Sequence, residues 1–179
     1  MKPIIVVMGV SGSGKSAIGA RLARRLAVSF CEGDELHPAA NVAKMKAGHP
    51  LTDEDRAPWL NRVAAWITDH QEGGVVSCSA LKRCYRDRLR WGQAAMPMFV
   101  LLDPPRAILE RRMHARADHF MPVSLLDSQL ATLERPSSDE QALRLTGDET
   151  PDLVVAAIVR WVNCNRALEG PLFAAEEDE

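Results

Sequence analysis

Apolar residues fall into short dense runs, separated by longer stretches where they recur every three or four positions. The short runs are Pro3–Met8, Val28–Glu32, Val75–Cys78, Met98–Leu102 and Ala142–Thr146. Runs this short and this apolar predict strands covered on both faces, as in a parallel sheet. The periodic stretches predict helices over Lys15–Ala27, Thr52–Gln71, Lys82–Trp91, Pro104–Arg116 and Pro151–Leu168. Their alternation predicts an α/β fold with helices on both faces of the sheet. The punctuation agrees. Thr52 and Asp55 have capping-box spacing, and Asp53, Glu54 and Asp55 put negative charge in the first turn. Pro58 lies near that start, where proline is best tolerated. Gly73-Gly74 ends the helix. Pro104-Pro105 opens the next one, with Asp103 read as its cap.

Between the first strand and first helix lies Gly9–Ser16, GVSGSGKS, which fits the phosphate-binding pattern G-x-x-x-x-G-K-[ST] in its strand–loop–helix setting. Glycines allow backbone N–H groups to converge on an anion, and the helix start adds positive potential. Lys15 brings a full charge to the β- and γ-phosphates, and the Ser16 hydroxyl is a hard ligand suited to Mg²⁺. The chain therefore handles a nucleoside triphosphate.

Composition narrows the partners. The 179 residues carry a net charge of −2 with no basic block, which argues against a nucleic-acid or membrane footprint. Met1-Lys2-Pro3 runs straight into the first strand, so no signal peptide is expected, and no apolar run has the length of a membrane span. Cys31, Cys78, Cys84 and Cys164 show no metal or redox spacing, and reduced thiols in the cytoplasm are the simplest account. The expectation is one domain over residues 1–170 and an acidic, solvated, mobile tail over 171–179.

Other chemistry gathers where strands end, at the edge on which open parallel sheets bind ligands. Asp34 follows the second strand, and is either a turn or cap residue or a base for an acceptor hydroxyl. Lys82 and Arg86 share a helix face after the third strand, and are either a solvated basic face or contacts for an anionic acceptor. Arg112 and Arg116 are likewise four apart and precede Ala117–Ser124, which is either a surface loop or a lid over the phosphates. The five histidines lack metal-ligand spacing. Strand three does not end in a metal-binding Asp, so Mg²⁺ would rest on Ser16, phosphates and water, with Asp34 nearby.

GDELHP at Gly33–Pro38, N-x-x-K-M at Asn41–Met45, GHPLTDEDRAPWL at Gly48–Leu60 and CSALKRCYRDRLR at Cys78–Arg90 resemble the gluconate kinases. These are small P-loop kinases related in fold to shikimate and adenylate kinases. The resemblance runs to about Pro136 and takes in His119–Met121. It implies a five-stranded parallel sheet of order 2-3-1-4-5 with a lid near 117–124, and commonly a homodimer. It implies that Gly12, Ser13, Gly14, Lys15 and Ser16 hold ATP phosphates. Asp34 would bind the acceptor hydroxyl as base, and His37, Arg56, Lys82 and Arg86 would surround the sugar acid, the three cations facing its carboxylate. Arg112 would stack on adenine beside Gly147–Pro151, and Arg116 would reach the phosphates.

The implied reaction is Mg²⁺- and ATP-dependent phosphorylation of D-gluconate at its 6-hydroxyl, feeding the pentose phosphate or Entner–Doudoroff routes. The rivals are a shikimate-type kinase, a nucleotide-binding regulatory module without turnover, and a nucleic-acid-dependent ATPase, the last disfavoured by charge.

Overall fold

The computed structural model describes residues 2–115 and 123–168. Strands β1 (Ile4–Met8), β2 (Ser29–Glu32), β3 (Gly74–Ser77), β4 (Met98–Leu102) and β5 (Ala142–Leu145) form one parallel sheet of order 2-3-1-4-5. Among the described residues the helices are α1 (Lys15–Leu26), α2 (Ala39–Lys46), α3 (Asp53–Asp69), α4 (Arg83–Arg90), α5 (Arg106–His114), α6 (Val123–Thr132) and α7 (Pro151–Leu168). A 3-10 turn, Gly33–Leu36, follows β2. None of these helices is long and apolar enough to cross a membrane.

The unbroken apolar runs have a direct cause. Successive strand side chains point to opposite faces, and here both faces are covered. Ile4, Val6 and Met8 of β1 pack with Trp59, Leu60, Val63 and Ile67 of α3, Leu89 of α4 and Phe99 and Leu101 of β4. Ile5 and Val7 point the other way, onto Ile18 and Leu22 of α1 and Val154, Val155, Ile158 and Val162 of α7. Every β1 residue is buried, and each such side chain contributes about 1.5–3 kcal/mol. The outer strands β2 and β5 are only partly covered.

The capping box forms as read: the Asp55 amide donates to Thr52 Oγ1 at 3.2 Å and the Thr52 amide to Asp55 Oδ2 at 2.7 Å. Pro58 differs from its reading. It lies inside α3, in the second turn rather than at the entrance. Asp103 caps no helix either. Its carboxylate is almost buried and takes Arg135 and Arg144, each at 2.7 Å, which clips β5 and the preceding segment to β4. Two helices, α2 and α6, have no counterpart in the sequence reading. The first is short and buries only Asn41. The second begins inside the segment read as a lid, whose residues 117–122 lie outside the described residues, as does the tail over 171–179.

Candidate active site

The loops after all five strands emerge at one edge of the sheet, and the site is built there. Gly14 ends the phosphate loop at φ +99°, a left-handed conformation that favours glycine, and it caps α1 with no side chain. The N-terminus of α1, with its positive dipole end, therefore opens onto the loop, a setting that suits an anion. Gly12 and Ser13 are buried within the loop, and Ser16 is exposed on the first helical turn. Lys15 folds back over the loop, with Nζ 3.0 Å from the Val10 carbonyl. Gln129 of α6 reaches in from above and accepts the Ser11 amide at 2.7 Å.

Arg112 closes the flank of this loop. Its Nη1 donates to the Ser13 carbonyl at 3.1 Å and its Nη2 to the Gly147 carbonyl at 2.7 Å. A groove runs alongside, lined by Gly14, Ala17, Ile18, Arg112, Gly147 and Pro151. The guanidinium and the turn after β5 are therefore brought together beside the loop, where a planar base has room to lie.

A second cavity opens on the other side of Lys15. Lys15, Asp34, His37 and Arg56 line it together with Ser79 and Leu81 of the loop after β3. Its outer wall comes from α6, through Leu125, Ser128 and Gln129, and from Met45, His49, Pro50 and Leu51. Local packing fixes its chemistry. Gly33 admits no side chain, since a Cβ there would lie 1.9 Å from the Ser77 carbonyl. The Gly33 amide donates to Ser77 Oγ at 3.0 Å, and Ser77 in turn bonds Glu32. Trp59, almost fully buried, donates Nε1–H to the Gly33 carbonyl at 2.7 Å and stacks on His37 at 4.2 Å. The turn bearing Asp34 and His37 is thus held at both ends by α3. Arg56 donates to the Leu51 carbonyl at 2.7 Å and lies over the Tyr85 ring, 5.7 Å from its centroid.

Burial pushes the His37 pKa down to about 4, with Asp34 opposing and Arg56 adding to the shift. The imidazole is neutral at pH 7 and contributes hydrogen bonding, not charge. The cavity therefore offers one ammonium and one guanidinium, a carboxylate, and neutral polar groups. That set suits a small polyhydroxylated anion set beside a phosphate loop.

Comparison with known proteins agrees. A family model described as an AAA domain matches residues 4–136. The chain is 49% identical to a gluconokinase of Gluconobacter oxydans over 89% of its own length and 92% of that protein's. It is 50% identical to the thermosensitive gluconokinase of Escherichia coli over 76% of this chain and 74% of that one.

The chain belongs to the gluconokinase family.

A crystal structure of a gluconokinase from Sinorhizobium meliloti superposes with a TM-score of 0.86 at 42% identity, covering 94% of this chain and 98% of that one.

Against the roles that the gluconokinase resemblance implied, two cations move. Arg86 does not reach the cavity. It is fully buried behind it, with Nε and Nη2 on Glu140 at 2.5 and 2.8 Å and Nη1 on the carbonyls of Ala80 and Glu134 at 3.2 and 3.0 Å. A guanidinium with its donors so engaged holds the pocket wall from the rear. Lys82 also turns away. It grips Asp53 at 2.7 and 2.8 Å, and Asp53 also takes the Tyr85 hydroxyl. Of the three cations read as facing a carboxylate, only Arg56 lines the cavity. Arg116 lies outside the described residues, as do His119 and Met121.

The sequence reading missed the wall from α6 and the support from Trp59 and Asn41. Asn41 and Trp59 stood inside matched gluconokinase segments without a role. Gln129 carried no signal at all, because its helix was not foreseen.

Proposed function

We propose that the protein transfers the γ-phosphoryl group of ATP to the 6-hydroxyl of D-gluconate. The observation that carries this reading is that Lys15 of the phosphate loop and Asp34 line the same cavity. One group addresses the phosphates and the other an acceptor hydroxyl, at the two ends of one transfer.

The step follows from these residues. Asp34 accepts the proton of the acceptor O–H as its oxygen bonds to the γ-phosphorus. The bond from that phosphorus to the β–γ bridging oxygen breaks, and its electron pair leaves with ADP. Lys15 and the α1 N-terminal amides stabilise negative charge on the transferring group. Arg56 holds the acceptor carboxylate, and the cavity walls set its angle of approach. Arg112 and the Gly147 turn flank the base. No cluster of three carboxylate, histidine or cysteine side chains suited to a metal occurs among the described residues. The exposed Ser16 hydroxyl at the start of α1 therefore fits Mg²⁺ that is held mainly by phosphates and water. When bound, the ion neutralises phosphate charge and draws electron density from the leaving oxygen. A cytoplasmic homodimer is part of the same reading, supported by the family resemblance.

ADP release with Mg²⁺ and ATP, measured beside D-gluconate, shikimate and no acceptor, tests it. Release is expected with gluconate alone. Nucleotide binding without acceptor-dependent release would replace a kinase with a regulatory module, and release with shikimate alone would overturn the acceptor.

A further inference from the structure

Asn41 is a polar side chain only 5% exposed, on the short helix α2 beside the acceptor cavity. One of its terminal atoms makes two contacts, at 2.7 Å to the Asp55 carbonyl and at 3.3 Å to His37 Nδ1. A carbonyl oxygen only accepts, so that atom is the amide nitrogen with its two hydrogens. One hydrogen goes to Asp55, and the other faces the histidine ring. Nδ1 must then be the unprotonated nitrogen, and a neutral ring carries its proton on Nε2. The ring is clamped by stacking on Trp59, with 12° between the planes. It lines the cavity with Nδ1 turned to α2, so Nε2–H is the polar group left for an occupant.

We infer that Asn41 is a positioning residue that locks His37 as the Nε2–H tautomer, so that His37 donates a hydrogen bond to an acceptor hydroxyl and leaves the carboxylate to Arg56. This rests on the kinase reading for the identity of the occupant. The lock itself is a property of the protein alone. The work in the pocket is thereby divided. Arg56 recognises any small carboxylate, and His37 senses a hydroxyl oxygen at one place along the chain of the sugar acid. The depressed His37 pKa is consistent with this, since a charged ring would place a hydrogen on Nδ1 against the Asn41 donor.

Two-bond ¹H–¹⁵N spectra of histidine-labelled protein at pH 7 test the lock directly, with the His37 signals assigned by their loss in His37→Gln. The Nε2–H pattern is expected, and an Nδ1–H or imidazolium pattern overturns the inference without any substrate. In Asn41→Asp the donor becomes an acceptor, so the pattern should change to Nδ1–H or imidazolium. KM for gluconate should rise about tenfold, with KM for ATP changed less than about twofold. An unchanged spectrum in that variant overturns the role of Asn41. Should the variant fail to fold, His37 substitutions decide the second half. Gln can present a donor near the Nε2 position and Leu cannot, so KM for gluconate should rise more in His37→Leu, by about tenfold or greater. Equal effects of Gln and Leu overturn donation to the acceptor. Absence of any gluconate-dependent ADP release from the wild type would remove the kinase reading while the spectrum still reports the tautomer.

Discussion

Arg86 and Glu140 meet inside the protein as a two-pronged pair, Nε to Oε2 at 2.5 Å and Nη2 to Oε1 at 2.8 Å, with each side chain 1% exposed. The pair does more than join α4 to the segment before β5. Nη1 also takes the carbonyl of Ala80, a non-glycine residue held at φ +40°. Such a conformation costs of order 1–3 kcal/mol and persists only where its surroundings fix it. The neighbours of Ala80, Ser79 and Leu81, line the cavity that also holds Asp34 and Arg56.

Removing Arg86 strips the buried Glu140 carboxylate of its two-pronged partner and leaves Arg90, at 3.5 Å, as the remaining cation. Arg86→Ala should therefore lower stability by about 3–5 kcal/mol, read by chemical denaturation. Arg86→Met with Glu140→Leu removes both charges and should recover a large part of that loss. A single variant that keeps wild-type stability and only weakens gluconate would return Arg86 to the cavity.

The same pair sets an acid limit. Hydrogen bonding from Arg86 holds the Glu140 carboxyl down at about 2, against an ordinary 4.5, with burial opposing. A carboxylate whose folded pKa is depressed contributes stability that is fully present above its unfolded pKa. That contribution is lost as pH falls from about 4.5 through about 2. Melting temperature should drop over that window, and less steeply in Glu140→Gln. Asp55, also held down at about 2 by Lys44, keeps some slope in the variant. Parallel curves for the two proteins would show that the pair has no linkage.

Two substitutions separate phosphate handling from proton transfer. Asp34→Asn should lower kcat about a hundredfold or more while ATP binding, measured by nucleotide titration, holds. Lys15→Ala should abolish turnover with the fold retained by circular dichroism. A near-normal kcat in Asp34→Asn would mean that the hydroxyl loses its proton elsewhere.

The inner strands β1, β3 and β4 were legible because they are buried on both faces, so their apolar runs stand out without alternation. The Thr52–Asp55 box and the phosphate loop are local motifs, complete within a few residues. What stayed hidden depends on distant partners. Arg86 has the same spacing from Lys82 whether it faces ligand or core, and only Glu140, 54 residues away, draws it inward. Lys82 reads as a ligand cation until Asp53, 29 residues earlier, is placed beside it. Asp103 had the position of a helix cap, but Arg135 and Arg144 claim it across the sheet edge. The tautomer of His37 is likewise set by α2, a helix of eight residues that is too short to show a clear apolar period.

The support beneath Asp34 can be probed through Trp59. Its indole plays two parts, a ring stacked on His37 and an Nε1–H donated to the Gly33 carbonyl at 2.7 Å. Trp59→Phe keeps an aromatic face and deletes the donor, leaving a buried carbonyl short of its partner at a cost of about 1–3 kcal/mol. Gly33 immediately precedes Asp34, and its backbone is already pressed against Ser77, where no Cβ would fit. The turn then has freedom to shift, and under the proposed role of Asp34 as base, a displacement of even a fraction of an ångström costs alignment with the hydroxyl. The expected result is a fall in kcat for gluconate of about tenfold or more, with KM for ATP little changed, because the phosphate loop takes no contact from Trp59 among those described. Gly33→Ala should give a larger loss, with reduced stability, since the Ser77 strand end must move to admit a methyl group. If both variants instead raise KM for ATP and gluconate together, the turn is coupled to the phosphate loop as one unit, and its separate role in aiming Asp34 is excluded.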